Sequence, residues 1–466
     1  MAEHTIIMQT TLQKLLEEKK YSTLRDILVT MKPADIAAIF DEMEAARLPL
    51  LYRLLPKELA ADTFVEMEPE AQELLIRGFS DAELKDVLDE LFVDDAVDII
   101  EEMPATVVRR ILAQAAPEMR TSINEILRYP ENSAGSIMTT EYVSLSPTLT
   151  VAEAITRIRR TGIDKETIYT CYVIRNRVLV GVVTVKDLLL APDDDALIES
   201  MMSANVIAVN THDDQEEVAQ MFSKYDFMAL PVVDAENRLV GIITFDDAMD
   251  VMEEEATEDI EKMAAIIPSE KPYMSMTPFE IWKNRIPWLM LLMVSATFTG
   301  LIISRFESAL EKLVILTAFI PMLMDTAGNS GSQASVTIIR GLSLNEIEFS
   351  DILLIIWKEV RVAVLCGLSL GIACFGKILL VDYLIMDSFA GVSSPFLIIG
   401  VICITLSVTV LFAKIVGCTL PLFAKKLGFD PAVMASPFIT TIVDALSLLV
   451  YFGIATLILP QLQAIV

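Results

Sequence analysis

From Ile281 to its last residue the chain carries 11 acidic and 11 basic residues, and these sit mostly between long apolar stretches. Five such stretches, near 286–304, 313–339, 352–380, 395–420 and 433–459, each reach the roughly 20 residues that a helix needs to cross the hydrocarbon core of a bilayer. The whole net charge of −29 therefore lies in the first 280 residues. With 53% hydrophobic residues and a mean hydropathy of +0.52, the chain is too apolar for an ordinary soluble protein. Its 466 residues leave room for two or three domains. A soluble acidic module joined to a membrane domain is what this segregation predicts.

Basic residues orient the spans. Lys283 and Arg285 precede the first, Arg340, Lys358 and Arg361 lie around the second connection, and Lys425 and Lys426 occupy the fourth. The first and third connections instead carry Glu307, Glu311, Asp382 and Asp387. The positive-inside rule then places the N-terminus in the cytoplasm and the C-terminus outside, as five spans require. The first twenty residues lack a basic segment followed by an apolar core, so no secretory signal is expected. The expected location is the plasma membrane, with the lipid bilayer as an obligatory partner.

Several classes are disfavoured. The five cysteines form no CxxC pair and four of them (Cys366, Cys374, Cys403, Cys418) lie in apolar stretches, which predicts packed thiols rather than disulfides or a zinc site. His4 and His212 are the only histidines, which argues against His-based metal catalysis. No GxxxxGK[ST] loop supports an ATP-driven pump. Neither an enzyme nor a nucleic-acid partner is expected.

Residues 1 to about 130 read as short amphipathic helices containing three similar segments. Pro33-Ala34-Asp35-Ile36 runs to Glu42-Met43, Pro56-Lys57-Glu58-Leu59 to Glu66-Met67, and Asp94-Asp95-Ala96-Val97 to Glu102-Met103. Such self-similarity predicts a helical solenoid, whose repeats bury their apolar faces against neighbours. A second repeat follows. Ile137-Met138-Thr139 recurs as Met201-Met202-Ser203, and the run Leu179 to Asp187 (LVGVVTVKD) recurs as Leu239 to Asp247 (LVGIITFDD), with glycines and threonines offset by 60. This doublet resembles a tandem CBS module. In that family the Thr and Asp at the helix start often hold a nucleotide ribose, which implicates Thr184 and Asp187, or Thr244 and Asp247, and makes ATP a candidate ligand. The same two residues also suit a helix cap.

After the second repeat, Asp247, Asp250, Glu254, Glu258 and Glu261 follow at helical steps on one face, with Met249, Met252, Ala256, Ile260 and Met263 on the other. Like charges at this spacing cost a few tenths of a kcal/mol each on an isolated helix. The face is either simply solvated or a site for divalent cations, which take oxygen ligands.

Two carboxylates fall inside the apolar stretches. Asp444 shares a helical face with Pro437, Thr440 and Ser447. A charge at the bilayer centre costs about 2.5–3.5 kcal/mol on insertion scales, so such a residue faces a cavity or a partner. With no Lys or Arg expected at the middle of another span, an ion pathway is favoured over a packed ion pair. Asp325 lies in PMLMDTAGNSGSQAS, where Asp325, Asn329 and Ser332 can share a face while Gly328 and Gly331 admit close helix packing or an unwound, cavity-lining backbone. In the third stretch Gly367 and Gly371 form a GxxxG pair suited to a neighbouring helix.

The order of these parts, with PMLMDTAGNSGSQAS and LGFDPAVMASPFITTIVDALSLL in the apolar region, resembles the MgtE magnesium channel family along nearly the whole chain. The resemblance implies a multidomain membrane protein. Its parts would be an acidic all-α helical-repeat domain (1–130), an α/β tandem CBS pair (131–250), an acidic connecting or plug helix (251–280) and a five-helix transmembrane domain (281–466). It also implies a homodimer whose second and fifth spans line a pathway for hydrated Mg²⁺, held by Asp444, with Thr440 and Ser436 beside it, Asp430 near the cytoplasmic entrance, and Asp325 and Asn329 as companions. Cytosolic Mg²⁺ would close the pathway by bridging acids, for which Asp94, Asp95, Asp98, Asp247, Asp250, Glu254, Glu255, Glu258 and Asp259 are candidates. The rival reading is an ion-coupled exchanger or exporter under CBS control, since an intramembrane Asp can also relay protons.

Overall fold

The computed structural model describes residues 11–462 except 270, 272, 391, 393 and 435, together with the side chain of Ser436. The chain divides into two compact units, Met1–Met252 and Glu253–Val466.

The first unit opens with a series of short helices, the last of them Pro117–Ile126. The three repeated segments are α1 (Pro33–Asp41), α2 (Lys57–Val65) and α3 (Val93–Glu102). Pro33 stands at the first helical position of α1 and Pro56 caps α2, where an amide N–H would have had no helical partner. Each helix gives way at its Glu-Met pair, and Met43, Met67 and Met103 turn into one core with Phe40, Phe64 and Val97. Burying a side chain of this size stabilises by about 1.5–3 kcal/mol. The recurrent Met thus adds to the shared core in each repeat.

The remainder of the unit is two three-stranded sheets. In the first, β1 (Tyr142–Leu145) lies parallel to β2 (Thr167–Arg175), which pairs antiparallel with β3 (Val178–Thr184). In the second, β4 (Val209–Asn210), β5 (Ala229–Val233) and β6 (Leu239–Thr244) repeat that order and orientation. Helices α4 (Val151–Thr161), α5 (Val185–Leu189) and α6 (Gln215–Tyr225) complete the two halves. The halves exchange their leading segments, since Thr139 pairs with Ile242 of the second half and Ser203 with Val182 of the first. This exchange explains the glycines offset by 60. A Cβ on Gly241 would stand 2.6 Å from Met138 Sδ, and one on Gly181 2.7 Å from Met202 Sδ. Each repeated Met needs the repeated Gly of the other half.

Helix α7 (Phe245–Met263) begins in the first unit and ends in the second. It stops well short of residue 280, a correction to the expected extent of the connecting helix. Ala265 adopts φ 54°, and Ile266 N–H donates to Glu261 O, Ala265 N–H to Lys262 O, which satisfies the last carbonyls as a left-handed cap does.

Among the described residues, the second unit has five long helices, α8 (Pro278–Arg305), α9 (Ile320–Ser343), α10 (Ile352–Lys377), α11 (Pro395–Lys426) and α12 (Ser436–Ile458). Among the described residues four helical stretches, 278–305, 349–385, 395–426 and 431–458, are long and apolar enough to cross a membrane. The second expected span is α9, whose 24 residues include Asp325, Asn329, Ser330, Ser332 and Gln333 and are less apolar. No residue of α8 is fully buried: one side packs on α12, with Ile302 and Ile303 against the core, and the rest presents exposed apolar side chains such as Leu289, Met293 and Phe298, the pattern of a helix meant for lipid or a partner. Helix α11 packs on α9, α10 and α12. Gly367 of α10 seats it closely, with Ser407 Oγ donating to Gly367 O at 2.8 Å.

One expectation fails here. Lys414 lies well inside α11 and is 5% exposed. It pairs with Glu359 of α10, Nζ to Oε2 3.8 Å. A basic residue does therefore lie inside a span.

Candidate functional site

Within the second unit, a cavity of about 380 Å³ is lined by Ile320, Pro321, Met324, Asp325, Gly328 and Asn329 of α9 and by Thr440 and Asp444 of α12. Four of the six residues singled out for the pathway thus face one space. Asp325 and Asn329 stand four apart, hence on one face of an α-helix, as do Thr440 and Asp444. Thr440 Oγ1 donates to Pro437 O at 3.0 Å, which ties the hydroxyl hydrogen to its own helix and leaves oxygen lone pairs for the cavity.

The two faces meet because the glycines let them. Helix α9 is continuous, so Gly328 and Gly331 serve close packing rather than an unwound turn. A Cβ on Gly328 would stand 3.1 Å from Thr440 Cγ2, and one on Gly331 3.0 Å from Ile439 Cγ2 and 3.1 Å from Ala413 O. Gly417 of α11 lies against the Gly331 carbonyl so tightly that it has no room for a side chain. Ala327, Ala413, Ile439 and Val443 close the contact as a small apolar cluster. Packing and cavity lining, posed as rivals for this segment, are both served by α9, and Gly328 takes part in each.

Ser436 begins α12, and its side chain lies outside the described residues. Asp430 sits in the turn before α12, where Oδ1 accepts the Ala432 N–H at 2.7 Å. Its other oxygen meets Lys262 Nζ at 2.6 Å, and the same lysine meets Glu258 at 2.5 Å. Ser343 Oγ at the end of α9 donates to Asp259 at 3.2 Å, and Met263 packs on Ile339 and Ala432. The end of α7 is therefore pinned to the C-terminal end of α9 and to the turn that precedes α12. Burial, then the charge of Asp430, raises the Asp259 carboxyl above its ordinary pKa. Burial works against the charge of Lys262, yet its bonds to Asp430 and Glu258 hold its pKa above the usual lysine value.

The first unit holds a second acidic group. Asp94 and Asp95, at the start of α3, and Asp247, at the start of α7, lie close enough to disfavour one another's ionisation. Burial is the larger cause in each, and it takes Asp95 to about 7 and Asp247 to about 6, while Asp94 is raised well above the usual range. Glu166, not anticipated from the sequence, joins them and is raised to about 8 by burial and then by Asp95 and Asp247. Asp94 Oδ1 and Glu166 Oε2 are buried with no hydrogen-bond partner. Such an orphaned, mutually repelling set suits a cation. Among the described residues, no three acids, His or Cys stand together at direct metal-ligand geometry. Glu141 has a structural task here, since its carboxylate accepts the Val93 N–H at 3.0 Å at the start of α3.

The charge of Asp250 also acts on Asp247, and the remaining candidates lie on more exposed positions. Asp98 lies on the exposed face of α3, and Asp250 and Glu254 on exposed turns of α7. Glu255, on the part of α7 that belongs to the second unit, is half-buried. At the two halves' helix starts, Thr184 Oγ1 accepts the Asp187 N–H at 3.1 Å and donates to Asp187 Oδ2 at 2.5 Å. Thr244 Oγ1 likewise donates to Asp247 Oδ2 at 2.5 Å. Both pairs cap their helices.

An acid-lined cavity between membrane helices, carried by a chain with a CBS pair and an acidic helical domain, defines a membrane transporter of cations with a cytosolic part. Comparison with known proteins agrees. The family of the MgtE intracellular N domain matches residues 31–132, the CBS domain family matches 134–194 and 198–254, and the MgtE divalent cation transporter family matches 320–454. A relative from Thermus thermophilus named magnesium transporter MgtE is 35% identical over 457 residues, covering 97% of this chain and 98% of its own. One of the same name from Bacillus subtilis is 33% identical over 453 residues, covering 96% of each. Among solved structures, the cytosolic domain of the Mg²⁺ channel MgtE in complex with ATP is 37% identical, covering 52% of this chain and 99% of its own with a TM-score of 0.50. The chain belongs to the MgtE family, one of transporters rather than enzymes.

Proposed function

We propose that the protein is a Mg²⁺ channel of the plasma membrane, taking up Mg²⁺ as a homodimer and closing when cytosolic Mg²⁺ is plentiful. The observation that carries this reading is the cavity that places Asp325, Asn329, Thr440 and Asp444 around one space. Carboxylate, amide and hydroxyl oxygens suit a hard cation, and a space of about 380 Å³ admits an ion that keeps its waters. Asp444 is the residue that binds the passing ion, and Asp430 and Ser436 stand toward its cytoplasmic entrance.

Closure is a population shift between two arrangements. Without Mg²⁺, the acids of α3 and α7 repel, and the set Asp94, Asp95, Asp247 and Glu166 destabilises the compact arrangement. Bound Mg²⁺ relieves that repulsion, and the end of α7, with Glu258 and Asp259, presses on the ends of α9 and α12 near Asp430. ATP at the CBS pair, near Thr184, Asp187 and Thr244, adjusts the response. The cytosolic-domain relative was solved with ATP, which supports a nucleotide there. The distribution of basic residues supports a C-terminus outside.

The test is Mg²⁺ uptake in a cell lacking its own Mg²⁺ transporters, wild type against Asp444→Ala. Loss of uptake is expected, and unchanged uptake would remove Asp444 from the pathway. Recording current with and without a proton gradient separates a channel from an exchanger, since a channel follows the Mg²⁺ gradient and membrane potential alone.

A further inference from the structure

We propose that Lys414 and Glu359 form a buried charge couple that sets how tightly the ion pathway holds its cation, an inference that rests on reading the Asp325 and Asp444 cavity as the route. Lys414 is 5% exposed in a helix with no other charge between Pro395 and Lys425. Its Nζ lies 3.8 Å from Glu359 Oε2, too far for a hydrogen bond, and that oxygen has no other partner. Such a pair adds little to packing, because apolar residues of similar volume in its place are often neutral or stabilising. An ionisable residue kept inside a membrane domain points to function.

The position says which function. Ala413, the residue before Lys414, packs with Ala327, Ile439 and Val443, and Val443 is the chain neighbour of Asp444. One turn further on, Gly417 meets Gly331. Helix α11 therefore backs the cavity-forming helices α9 and α12 at the depth of the carboxylates, while α10 packs mainly on α11. The positive partner sits on the helix that touches the cavity walls, and the negative partner on the helix beyond. Packed helix axes are 8–10 Å apart, and a dry interior screens charge poorly. The near positive charge weakens cation binding at Asp325 and Asp444, and the far negative charge limits the effect. Conduction needs such tempering, because an ion bound too tightly does not leave.

The experiment is Mg²⁺ uptake into liposomes by the full chain as a function of Mg²⁺ concentration. Lys414→Met leaves Glu359 uncompensated and is expected to lower the half-saturating concentration several-fold. Glu359→Gln leaves Lys414 uncompensated and is expected to raise it several-fold, and the double variant to return it toward wild type. Shifts in the same direction for both single variants, or a fall in maximal uptake with half-saturation unmoved, would overturn the couple in favour of packing alone. Should Lys414→Met not fold, Glu359→Gln and the exchanged Lys414→Glu/Glu359→Lys decide, the latter expected below wild type because the negative charge then lies nearer the cavity. Asp444→Ala is run alongside. Retained uptake by it overturns the route itself, whereas its loss with unshifted pair variants overturns only the couple.

Discussion

Asp444 and Asp94 are both acids held away from bulk water, and their surroundings differ in kind. Asp444 opens onto a cavity shared with a hydroxyl, an amide and a second carboxylate. Asp94 is 7% exposed, with one oxygen unpartnered and acids as its electrostatic neighbours. An open, polar cavity lets an ion come and go with its waters, which suits passage. A largely buried acidic set stores repulsion that a proton or a cation relieves, which suits sensing. The same side chain suits passage or sensing according to how its neighbours pack.

The comparison breaks most severely at Asp444. Asp444→Asn keeps the size and removes the charge, and uptake is expected to fall at least about tenfold, since each 1.4 kcal/mol of lost ion binding is a factor of ten. Unchanged transport kinetics would end the distinction between the two acids.

The sensing set is expected to respond in the opposite sense. Asp94→Asn with Asp247→Asn removes two of its charges, so uptake should persist at cytosolic Mg²⁺ levels that close the wild type. Patch recordings with graded internal Mg²⁺ measure this, and closure at the wild-type concentration would assign the sensor elsewhere.

The set also predicts a pH dependence when divalent cations are chelated. Asp95, Asp247 and Glu166 are raised to about 7, 6 and 8, so the folded chain keeps protons that the unfolded chain gives up above about pH 4. Their contribution to stability is thus fully present below about pH 4 and is lost as pH rises through 6 to 8. Hydrogen exchange of residues 93–102 should accelerate from pH 6 to 8.5, beyond the intrinsic pH effect, and Mg²⁺ should slow it most at pH 8.5. A Mg²⁺ effect equal at both pH values would contradict the assignment.

Two smaller effects test the supports on each side. Gly417→Ala forces a methyl against the Gly331 carbonyl and is expected to cost about 1–3 kcal/mol, read as a lower melting temperature in detergent. Thr184→Ala removes a cap worth about 1 kcal/mol. If Thr184 also holds ATP, the stabilisation by added ATP should vanish with it, whereas a cap alone leaves that increment intact.

The family, its repeats and the residues around the cavity were legible because they sit in local patterns. Thr440 and Asp444, or Asp325 and Asn329, declare a shared face by spacing alone. Glu166 was not legible, since it lies far in sequence from both Asp94 and Asp247 and only the fold brings them together. Lys414 was hidden by its setting, because one lysine barely dents the hydropathy of a 32-residue helix and its partner lies on another helix. The end of α7 was missed because an alanine, Ala265, takes the left-handed position where glycine would have announced a stop.

The exchanged segments of the two sheets carry a consequence for how this region can be divided. Thr139 completes the sheet of the second half and Ser203 that of the first, and the repeated methionines fill the places their counterpart glycines leave. Neither half owns a finished sheet. Expressed apart, with the chain cut between 194 and 198, the halves would each expose a strand edge and a notch shaped for the other. The smallest piece able to fold is therefore the duplicated pair, and an insertion tolerated in one half must leave the other half's strand in register.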